Sequence, residues 1–352
     1  MPFNFEFPRR IRAGFIGCGR HAYQSIYPCF QYAPVELIAV ADLQEERART
    51  YARQFGAERW YTDHRRMLAE ETLDAVFVVV NHDHQRRPQY VPLAVDIMES
   101  GCHAWIEKPP ASTIEEIDAM ITTSQRTGSF VQVGFKKVFY PAIERAKQIM
   151  ELPEFGRPTS IYAHYGVAIP PEHERHNGPP MMPFLQIGCH PLSIIQYLMG
   201  PAESLYFEDE RVAGSSMAVF KFRSGAIGVM HHAAGKAHNA PWDRVEVVGE
   251  GATLVVENGV QLNYYKPSGP RADDTFVGDD ANGPIKWAPD FSHGRLANKG
   301  LFLLGYAPEV ISFAECVLEN KPPERCRLED AREVLQMYLA YNSPAGRRIS
   351  VG

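Results

Sequence analysis

The sequence predicts an α/β domain with a doubly wound parallel sheet, followed by an α+β domain with a large, mostly antiparallel sheet. At 352 residues the chain is long enough to build two hydrophobic cores. Up to residue 133, short apolar runs alternate with segments of helical length, as in a parallel sheet covered by helices. Beyond residue 133, apolar runs follow one another with only turns between them, as in antiparallel strands. We therefore expect two domains, 1–133 and 134–352.

The first domain is predicted from five apolar runs and the segments that connect them. The run 74–80 is the most strand-like, because β-branched and aromatic residues follow one another in it without a break. Pro28 lies inside the first predicted helix and should kink or shorten it. The predicted strands are 12–16, 35–41, 74–80, 104–106 and 130–133, and the predicted helices are 20–32, 44–55, 63–70, one that ends near Gly101, and 114–126.

The second domain is predicted from strands in sequence and from four helical segments. The stretch from Lys266 to Lys299 is rich in Gly, Pro and Asp and is too long for a plain connection, so we expect an irregular excursion near the site or at an oligomer contact. The predicted strands are 202–207, 217–222, 226–232, 244–248 and 251–256, and the predicted helices are 140–150, 190–199, 308–318 and 328–341.

Charge and composition favour a small-molecule ligand. The formal net charge of −6 comes from well-mixed acids and bases, so neither a nucleic acid nor a membrane surface is expected as a partner. No apolar run approaches the roughly 20 residues that a membrane span needs. The six cysteines lack the spacing of a zinc site or a disulfide framework, and with no signal peptide in view we expect a cytoplasmic protein.

A glycine turn follows the first predicted strand and opens the first predicted helix. It reads Gly17-Cys-Gly-Arg-His-Ala22. Gly17 permits the tight turn, Gly19 lets the backbone approach a pyrophosphate, and the small Ala22 allows the helix to pack closely on the sheet. Arg20 and His21 stand at the helix N-terminus, where an anion is favoured. A glycine pattern alone is weak, but this context indicates a dinucleotide-binding domain of the Rossmann type.

The choice between NAD and NADP is predicted from Asp42, which stands at the end of the second predicted strand. An acid at this place accepts hydrogen bonds from the adenosine ribose hydroxyls and repels a 2′-phosphate, so it favours NAD over NADP. Arg47, one helical turn away, could soften that repulsion. Asn81 follows the strand 74–80 and is expected to line the cofactor pocket. A metal site at Asn81-His-Asp-His84 is disfavoured, because no third ligand follows at a predictable spacing.

Lys108 stands at the carboxyl end of a short predicted strand, in the sequence Glu107-Lys-Pro-Pro110. Open α/β sheets bind their ligands at this edge, so the lysine should face the nicotinamide end of the cofactor. The two prolines stiffen the chain after it, and Glu107 could pair with the lysine and fix the direction of its ammonium group.

Several short motifs together resemble the glucose-fructose oxidoreductase and inositol dehydrogenase family over nearly the whole chain. They include the glycine turn, Ala41-Asp42, the Glu-Lys-Pro sequence at Lys108, and Gly188-Cys-His190; the others are 61–63, 133–135, 198–200 and 305–306. The resemblance implies that the lysine contacts substrate and cofactor, and that an Asp-x-x-x-His pair completes the site without a metal. Here the histidine is His190, but position 186 is Gln186. It also implies a homodimer or homotetramer formed through the exposed face of the second domain's sheet.

An alcohol dehydrogenation needs a group that accepts the hydroxyl proton, and histidine titrates in the useful range. We expect His190 to be this acid–base group, Lys108 to polarise the reacting hydroxyl, and Gln186 to orient it, because an amide can hold a hydroxyl but cannot carry charge. Pro191 leaves open whether the helix begins before Gly188. The loop 164–183 could roof the site or could equally be a solvated surface loop, and the weaker substrate contacts are Tyr165, Lys136, His176 and His84.

The residues therefore predict an NAD-dependent oxidoreductase that acts on a secondary hydroxyl of a sugar, cyclitol or glycoside. Two alternatives stay open. A glycoside-cleaving enzyme could oxidise its substrate transiently and regenerate its own NAD, with no net NADH. A cofactor-binding regulator could have lost catalysis together with the aspartate.

Overall fold

The computed structural model describes residues 3–237, 239–267, 283–289 and 298–352. The chain forms two compact units. The N-terminal unit consists of Met1–Lys136 together with Gly305–Leu335, and the C-terminal unit consists of Lys137–Leu304 together with Gln336–Gly352.

The N-terminal unit contains a six-stranded parallel sheet of order β3-β2-β1-β4-β5-β6. This order reverses at β1 and β4, which is the switch point of a doubly wound fold. The predicted α/β class is confirmed. The short β3 was not predicted, because two of its three residues are exposed and give no apolar run. The strands are β1 (Ile11–Ile16), β2 (Val35–Ala41), β3 (Arg59–Tyr61), β4 (Ala75–Val78), β5 (His103–Glu107) and β6 (Val131–Gly134).

The helices between these strands begin and end at local sequence signals. Gly56 ends α1 in the left-handed conformation, with φ of 79°. Asp63 caps α2 by accepting a hydrogen bond from the backbone N–H of Arg65 at 2.9 Å. Thr113 and Glu116 form a capping box at the start of α4. The helices are α1 (Glu45–Phe55), α2 (His64–Glu70), α3 (Tyr90–Glu99) and α4 (Ile114–Thr127).

The segment after the glycine turn is helical but irregular, as Pro28 predicts. A π-helical stretch, Ala22–Ile26, passes into a 3-10 stretch, Tyr27–Tyr32, that starts one residue before the proline. Proline has no backbone N–H and its ring clashes with the preceding turn, so a regular α-helix cannot run through it.

The C-terminal unit contains a nine-stranded sheet of order β14-β13-β12-β11-β7-β10-β9-β8-β15. Only β7 and β10, near its centre, are paired in parallel among the strands described. The predicted mostly antiparallel sheet is confirmed. Its strands are β7 (Ser160–Tyr165), β8 (Ala202–Asp209), β9 (Ser216–Phe222), β10 (Ile227–His232), β11 (Asp243–Val248), β12 (Thr253–Glu257), β13 (Gln261–Tyr265), β14 (Ile285–Trp287) and β15 (Arg348–Ser350).

The central strand β7 corrects the expected loop 164–183, because His164 and Tyr165 are its last two residues. Its burial alternates strictly between the two faces of the sheet, with polar or aromatic residues on the more exposed face. This alternation is the pattern of a half-buried strand, although 160–165 was not among the predicted strands. Most of the stretch from Lys266 to Lys299, which was expected to form an irregular excursion, lies outside the described residues.

The part of the chain that the structure describes holds five further α-helices: α5 (Pro141–Met150), α6 (Met182–Met199), α7 (Lys299–Leu303), α8 (Tyr306–Glu319) and α9 (Leu328–Ala340). The helix α8 belongs to the N-terminal unit although it follows the second sheet in sequence. Its Phe313 ring packs edge-on against Phe77 of β4, and its Glu309 carbonyl accepts a hydrogen bond from Gln132 of β6. The contacts thus differ from the expected division at residue 133, since Gly305–Leu335 covers the first sheet.

A buried histidine marks the core of the C-terminal unit. His232 is fully buried, and its Nδ1 lies 3.0 Å from the Ser216 hydroxyl. Its ring meets Phe184 and Tyr341 edge-on. Burial lowers the pKa of His232 to about 3, so the ring is neutral near pH 7. His232 thus packs in the core at the end of β10.

Candidate functional site

The glycine turn lies at the carboxyl edge of the parallel sheet, between β1 and the helical segment. Gly17 has φ of 107°, and a Cβ on it would stand 1.9 Å from the Val79 carbonyl oxygen. A Cβ on Gly19 would meet no described heavy atom within 4 Å. The first glycine is therefore required by the fold, whereas the second leaves open space beside the backbone.

This open space fits a bound dinucleotide. The first N–H groups of a helix have no partner within the helix and favour an anion such as a pyrophosphate. The helix opens directly after Gly19, whose carbonyl accepts the hydrogen bond of the Tyr23 N–H at 3.1 Å. Any side chain larger than a hydrogen atom at residue 19 would fill the space that the pyrophosphate of a bound dinucleotide needs.

Asp42 stands at the end of β2 and holds the turn in place. One carboxylate oxygen accepts a hydrogen bond from the Cys18 N–H at 2.8 Å, and the other accepts one from the Gln44 N–H at 2.9 Å. The side chain is only partly buried. Each carboxylate oxygen can accept more than one hydrogen bond, so these contacts leave capacity for a ribose hydroxyl.

Glu107 is the last residue of β5 and Lys108 follows it, so both lie at the carboxyl edge of the same sheet. The Glu107 carboxylate is buried, and its two oxygens have different partners. Oε1 lies 2.8 Å from Nε2 of His21, in the glycine turn, while Oε2 accepts a hydrogen bond from the Lys108 N–H at 2.9 Å. The Lys108–Pro109 peptide bond is cis. Glu107 therefore contacts the backbone of the lysine, where the sequence suggested a pairing with its ammonium group.

The surroundings of Glu107 favour the negatively charged form of its carboxyl group. Burial alone would raise the pKa of this carboxyl, but the hydrogen bond with His21 and the charge of Lys108 outweigh burial and lower it. A second buried acid, Glu309 of α8, behaves oppositely. Burial raises the pKa of Glu309 well above its usual value, and repulsion from Glu107 adds to the rise. The pKa values of the two carboxyls are thus shifted in opposite directions.

The loop after β4 contains the predicted residues Asn81 and His84, both exposed. Asp83 between them accepts hydrogen bonds from the Gln85 and Arg87 N–H groups, so it shapes the loop. His82 was not among the predicted site residues, but its Nε2 is buried without a hydrogen-bond partner among the described residues. Burial lowers the pKa of His82, and the nearby charge of Lys108 lowers it further.

Lys136, a predicted substrate contact, ends the N-terminal stretch of the first unit. Its ammonium nitrogen lies 4.0 Å from the centre of the Tyr306 ring, a cation–π contact. The same ring meets His21 edge-on, with centroids 5.8 Å apart. Tyr306 is the first residue of α8. It lies near His21 because α8, although it follows the second sheet in sequence, belongs to the N-terminal unit. The predicted Arg20 is exposed and bonds Gln24 on the same helical segment.

In the C-terminal unit, Gln186 and His190 lie one turn apart on α6. The helix begins at Met182, eight residues before the predicted start, and Pro191 is accommodated in its interior. Residues four apart on a helix share a face, so both side chains lie on one side of α6. His190 is 9% exposed and Gln186 is partly exposed.

The two other residues of this unit that were predicted to contact the substrate, Tyr165 and His176, differ in exposure. Tyr165 is buried at the end of β7, with its ring 4.5 Å from the Lys137 ammonium. That lysine forms a buried ion pair with Asp243 at 2.5 Å. His176 is exposed, beside a buried Arg175 that is bonded to Asp209. The segment near His176 is thus anchored by an ion pair.

The described residues contain no group of three or more His, Cys, Asp or Glu side chains that could hold a metal ion. Within the same part of the chain, no helix has the length and apolar character needed to cross a membrane.

Comparison with known proteins identifies the family. Residues 11–135 match the model described as "Oxidoreductase family, NAD-binding Rossmann fold", and residues 143–255 match the Gfo/Idh/MocA C-terminal domain. The chain is 24% identical to scyllo-inositol 2-dehydrogenase (NAD+) of Bacillus subtilis, covering 89% of this chain and 88% of that protein. It is 27% identical to D-apiose dehydrogenase of Paraburkholderia graminis, covering 80% and 75%.

A solved structure shows the same fold. An oxidoreductase from Agrobacterium radiobacter, crystallised with NAD+, L-tartaric acid and magnesium, superposes with a TM-score of 0.77 at 16% identity, covering 97% of this chain and 98% of that one. Two domain models of one family match in succession, and the relatives align over most of their length. The chain therefore belongs to the Gfo/Idh/MocA family of oxidoreductases with an NAD-binding Rossmann domain.

Proposed function

We propose that this protein is an NAD-dependent dehydrogenase that oxidises a secondary hydroxyl of a sugar, cyclitol or glycoside. The observation that carries the proposal is the common edge of one parallel sheet, where the Gly17–Gly19 turn, Asp42 and Lys108 all stand at strand ends. The inositol and apiose dehydrogenases among the relatives support the substrate class. When bound, NAD+ supplies the nicotinamide ring that accepts a hydride.

The chain's own residues have separate roles in this proposal. Gly17, Gly19, Arg20 and His21 receive the pyrophosphate, and Asp42 and Asn81 contact the rest of the cofactor. Lys108 polarises the reacting hydroxyl, since a nearby ammonium group favours its partly deprotonated form. His190 accepts the hydroxyl proton, and Gln186 orients the hydroxyl by a hydrogen bond. Substrate contacts are assigned to Tyr165, Lys136, His176 and His84, with Tyr165 acting from a buried position.

The test is a scan of purified protein with NAD+ or NADP+ against free sugars, inositols and aryl glycosides, in which NADH and released aglycone are both followed. A dehydrogenase forms NADH in step with product. Aglycone release without net NADH would replace the proposal with a redox-neutral glycoside cleavage. The absence of any turnover across the panel would favour a cofactor-binding regulator.

The preference for NAD is assigned to Asp42. We expect Asp42→Asn to lower the ratio of kcat/KM for NAD+ to that for NADP+ by about tenfold or more, because a hydrogen bond to a charged group contributes roughly 1.5–3 kcal/mol. The amide keeps the shape and one acceptor oxygen but loses the charge that repels a 2′-phosphate. Glu45→Gln is the matched control, since Glu45 is an exposed acid in the first turn of α1. An unchanged ratio in Asp42→Asn would contradict the assignment.

We also propose that the chain self-associates through the open face of its nine-stranded sheet. Side chains in register on four neighbouring strands form one row there, namely Tyr162, Val229, Val219 and Tyr206. Tyr162, Val219 and Tyr206 are 38%, 48% and 38% exposed, and the adjacent Ile227 is 57% exposed. A contiguous apolar patch of this kind marks an interaction surface, and a second copy would bury it against the same row.

Light scattering after size exclusion tests the self-association. We expect a dimer or tetramer for the native chain and a smaller species for Val219→Asp, because a buried carboxylate without a partner is strongly unfavourable. Val212→Asp is the control, since Val212 is 94% exposed on a turn outside the row. A native assembly size in Val219→Asp would rule out this face as the interface.

A further inference from the structure

One buried carboxylate connects the glycine turn to the catalytic lysine. Glu107 is 4% exposed and contacts His21 through Oε1 and the Lys108 N–H through Oε2. His21 is 86 residues away in sequence and opens the helical segment after the turn. The hydrogen bond to the lysine goes to its backbone, so it constrains where the side chain starts.

The neighbours of this connection favour a fixed geometry. Tyr306 meets the exposed His21 ring edge-on and is itself in contact with the Lys136 ammonium. Behind Glu107, both carboxyl oxygens of Glu309 are buried without a hydrogen-bond partner among the described residues. Burial raises the pKa of Glu309, whereas the contacts of Glu107 with His21 and Lys108 lower the pKa of Glu107, which favours the charged form of Glu107. That charge strengthens both hydrogen bonds that Glu107 accepts.

We propose that His21 and Glu107 are positioning residues that hold Lys108 through its own backbone amide, so that the placement of the lysine depends on the dinucleotide turn. This inference rests on the role given to Lys108 in the proposed function. A lysine side chain has four rotatable bonds and about 2 kcal/mol of rotamer entropy, so its ammonium is placed well only if its backbone is fixed. A displacement of about 1 Å at a reacting group can cost as much as roughly 100-fold in rate.

Two substitutions of His21 separate positioning from other roles. His21→Leu removes the nitrogen that contacts Glu107, whereas His21→Gln puts an amide N–H at nearly the same distance from the backbone. We expect kcat to fall about 10- to 100-fold in His21→Leu and to return to within about threefold of native in His21→Gln. Turnover is measured at saturating NAD+, with the dissociation constant of NAD+ determined by equilibrium titration without substrate, so that weaker binding at the pyrophosphate does not lower kcat.

The matched control is His64→Leu. His64 contacts Asp96 through Nε2 at 2.9 Å, the same kind of contact in the same unit, but on α2 and α3. We expect native kcat in this variant. Thermal unfolding of all three variants shows whether each is folded, and equal loss of kcat in His21→Leu and His21→Gln, or native kcat in His21→Leu, would overturn the inference.

A double-mutant cycle with Lys108→Met tests whether His21 acts through the lysine. If it does, His21→Leu has no further effect on the residual rate of Lys108→Met, because there is no ammonium left to position. Multiplicative losses would overturn the inference while leaving the proposed function intact. Native turnover in Lys108→Met alone would instead overturn the role of Lys108 and the proposed function's chemistry with it.

Discussion

Replacing Lys108 with methionine is expected to lower kcat by about 10²- to 10⁴-fold, the contribution typical of a positioned group that assists proton transfer. Methionine retains much of the length and apolar stem of lysine but has no ammonium group to polarise the substrate hydroxyl. The backbone contact of residue 108 with Glu107 does not involve the side chain, so the local fold should persist. The measurement is kcat with the substrate found in the scan, at saturating NAD+.

The matched control for this variant is Lys221→Met. Lys221 is an exposed lysine of β9 that pairs with Glu203 on the protein surface, and we expect its replacement to leave turnover unchanged. Binding of NAD+ by Lys108→Met, followed by equilibrium titration, shows whether a loss of rate arises in the chemical step. A kcat within about threefold of native would contradict the role of Lys108.

The second large effect is expected at the glycine turn. Replacing glycine with alanine should lower the stability of the fold at residue 17 but weaken NAD+ binding at residue 19. Gly17→Ala places a Cβ 1.9 Å from the Val79 carbonyl oxygen at φ of 107°, so β1 and β4 would have to separate. The unfavourable backbone conformation alone costs about 1–3 kcal/mol, and the clash with a carbonyl group adds to it. We expect a clear fall in the free energy of unfolding, measured by urea denaturation.

Gly19→Ala is the internal control for stability. Its Cβ would meet no described heavy atom within 4 Å, so the free energy of unfolding should stay within about 1 kcal/mol of native. NAD+ binding should instead weaken at least about tenfold, because the methyl group occupies the space of the approaching pyrophosphate. Native stability in Gly17→Ala, or native NAD+ affinity in Gly19→Ala, would contradict our assignment of these two glycines.

The elements predicted from local signals agree with the structure. The helices α1, α2 and α4 end or begin at Gly56, Asp63 and Thr113, residues whose backbone or side-chain chemistry acts over a few positions. The run 74–80 predicted β4 because both faces of a central parallel strand are buried. Among the missed elements, β3 is mostly exposed and has no apolar run, whereas β7 has the alternation of a half-buried strand and was still not predicted.

The helix α6 shows how tertiary packing overrides a local rule. The sequence predicts a helix over 190–199 and Pro191 leaves an earlier start open, yet α6 starts at Met182 and continues through the proline. Most of its side chains are buried, so packing compensates for the hydrogen bond that proline cannot make. As a result Gln186 and His190 share one helical face, which the sequence alone left open.

The sequence by itself determined the dinucleotide turn, the acid at the end of β2 and the lysine at the end of β5. Parallel strands put their carboxyl ends at one edge, so these positions followed from strand boundaries alone. Only the tertiary structure decided that His21 reaches Glu107 across 86 residues, and that α8 returns to place Tyr306 and Glu309 beside them. Contacts between distant segments depend on how whole elements pack, and no local spacing in the chain encodes them.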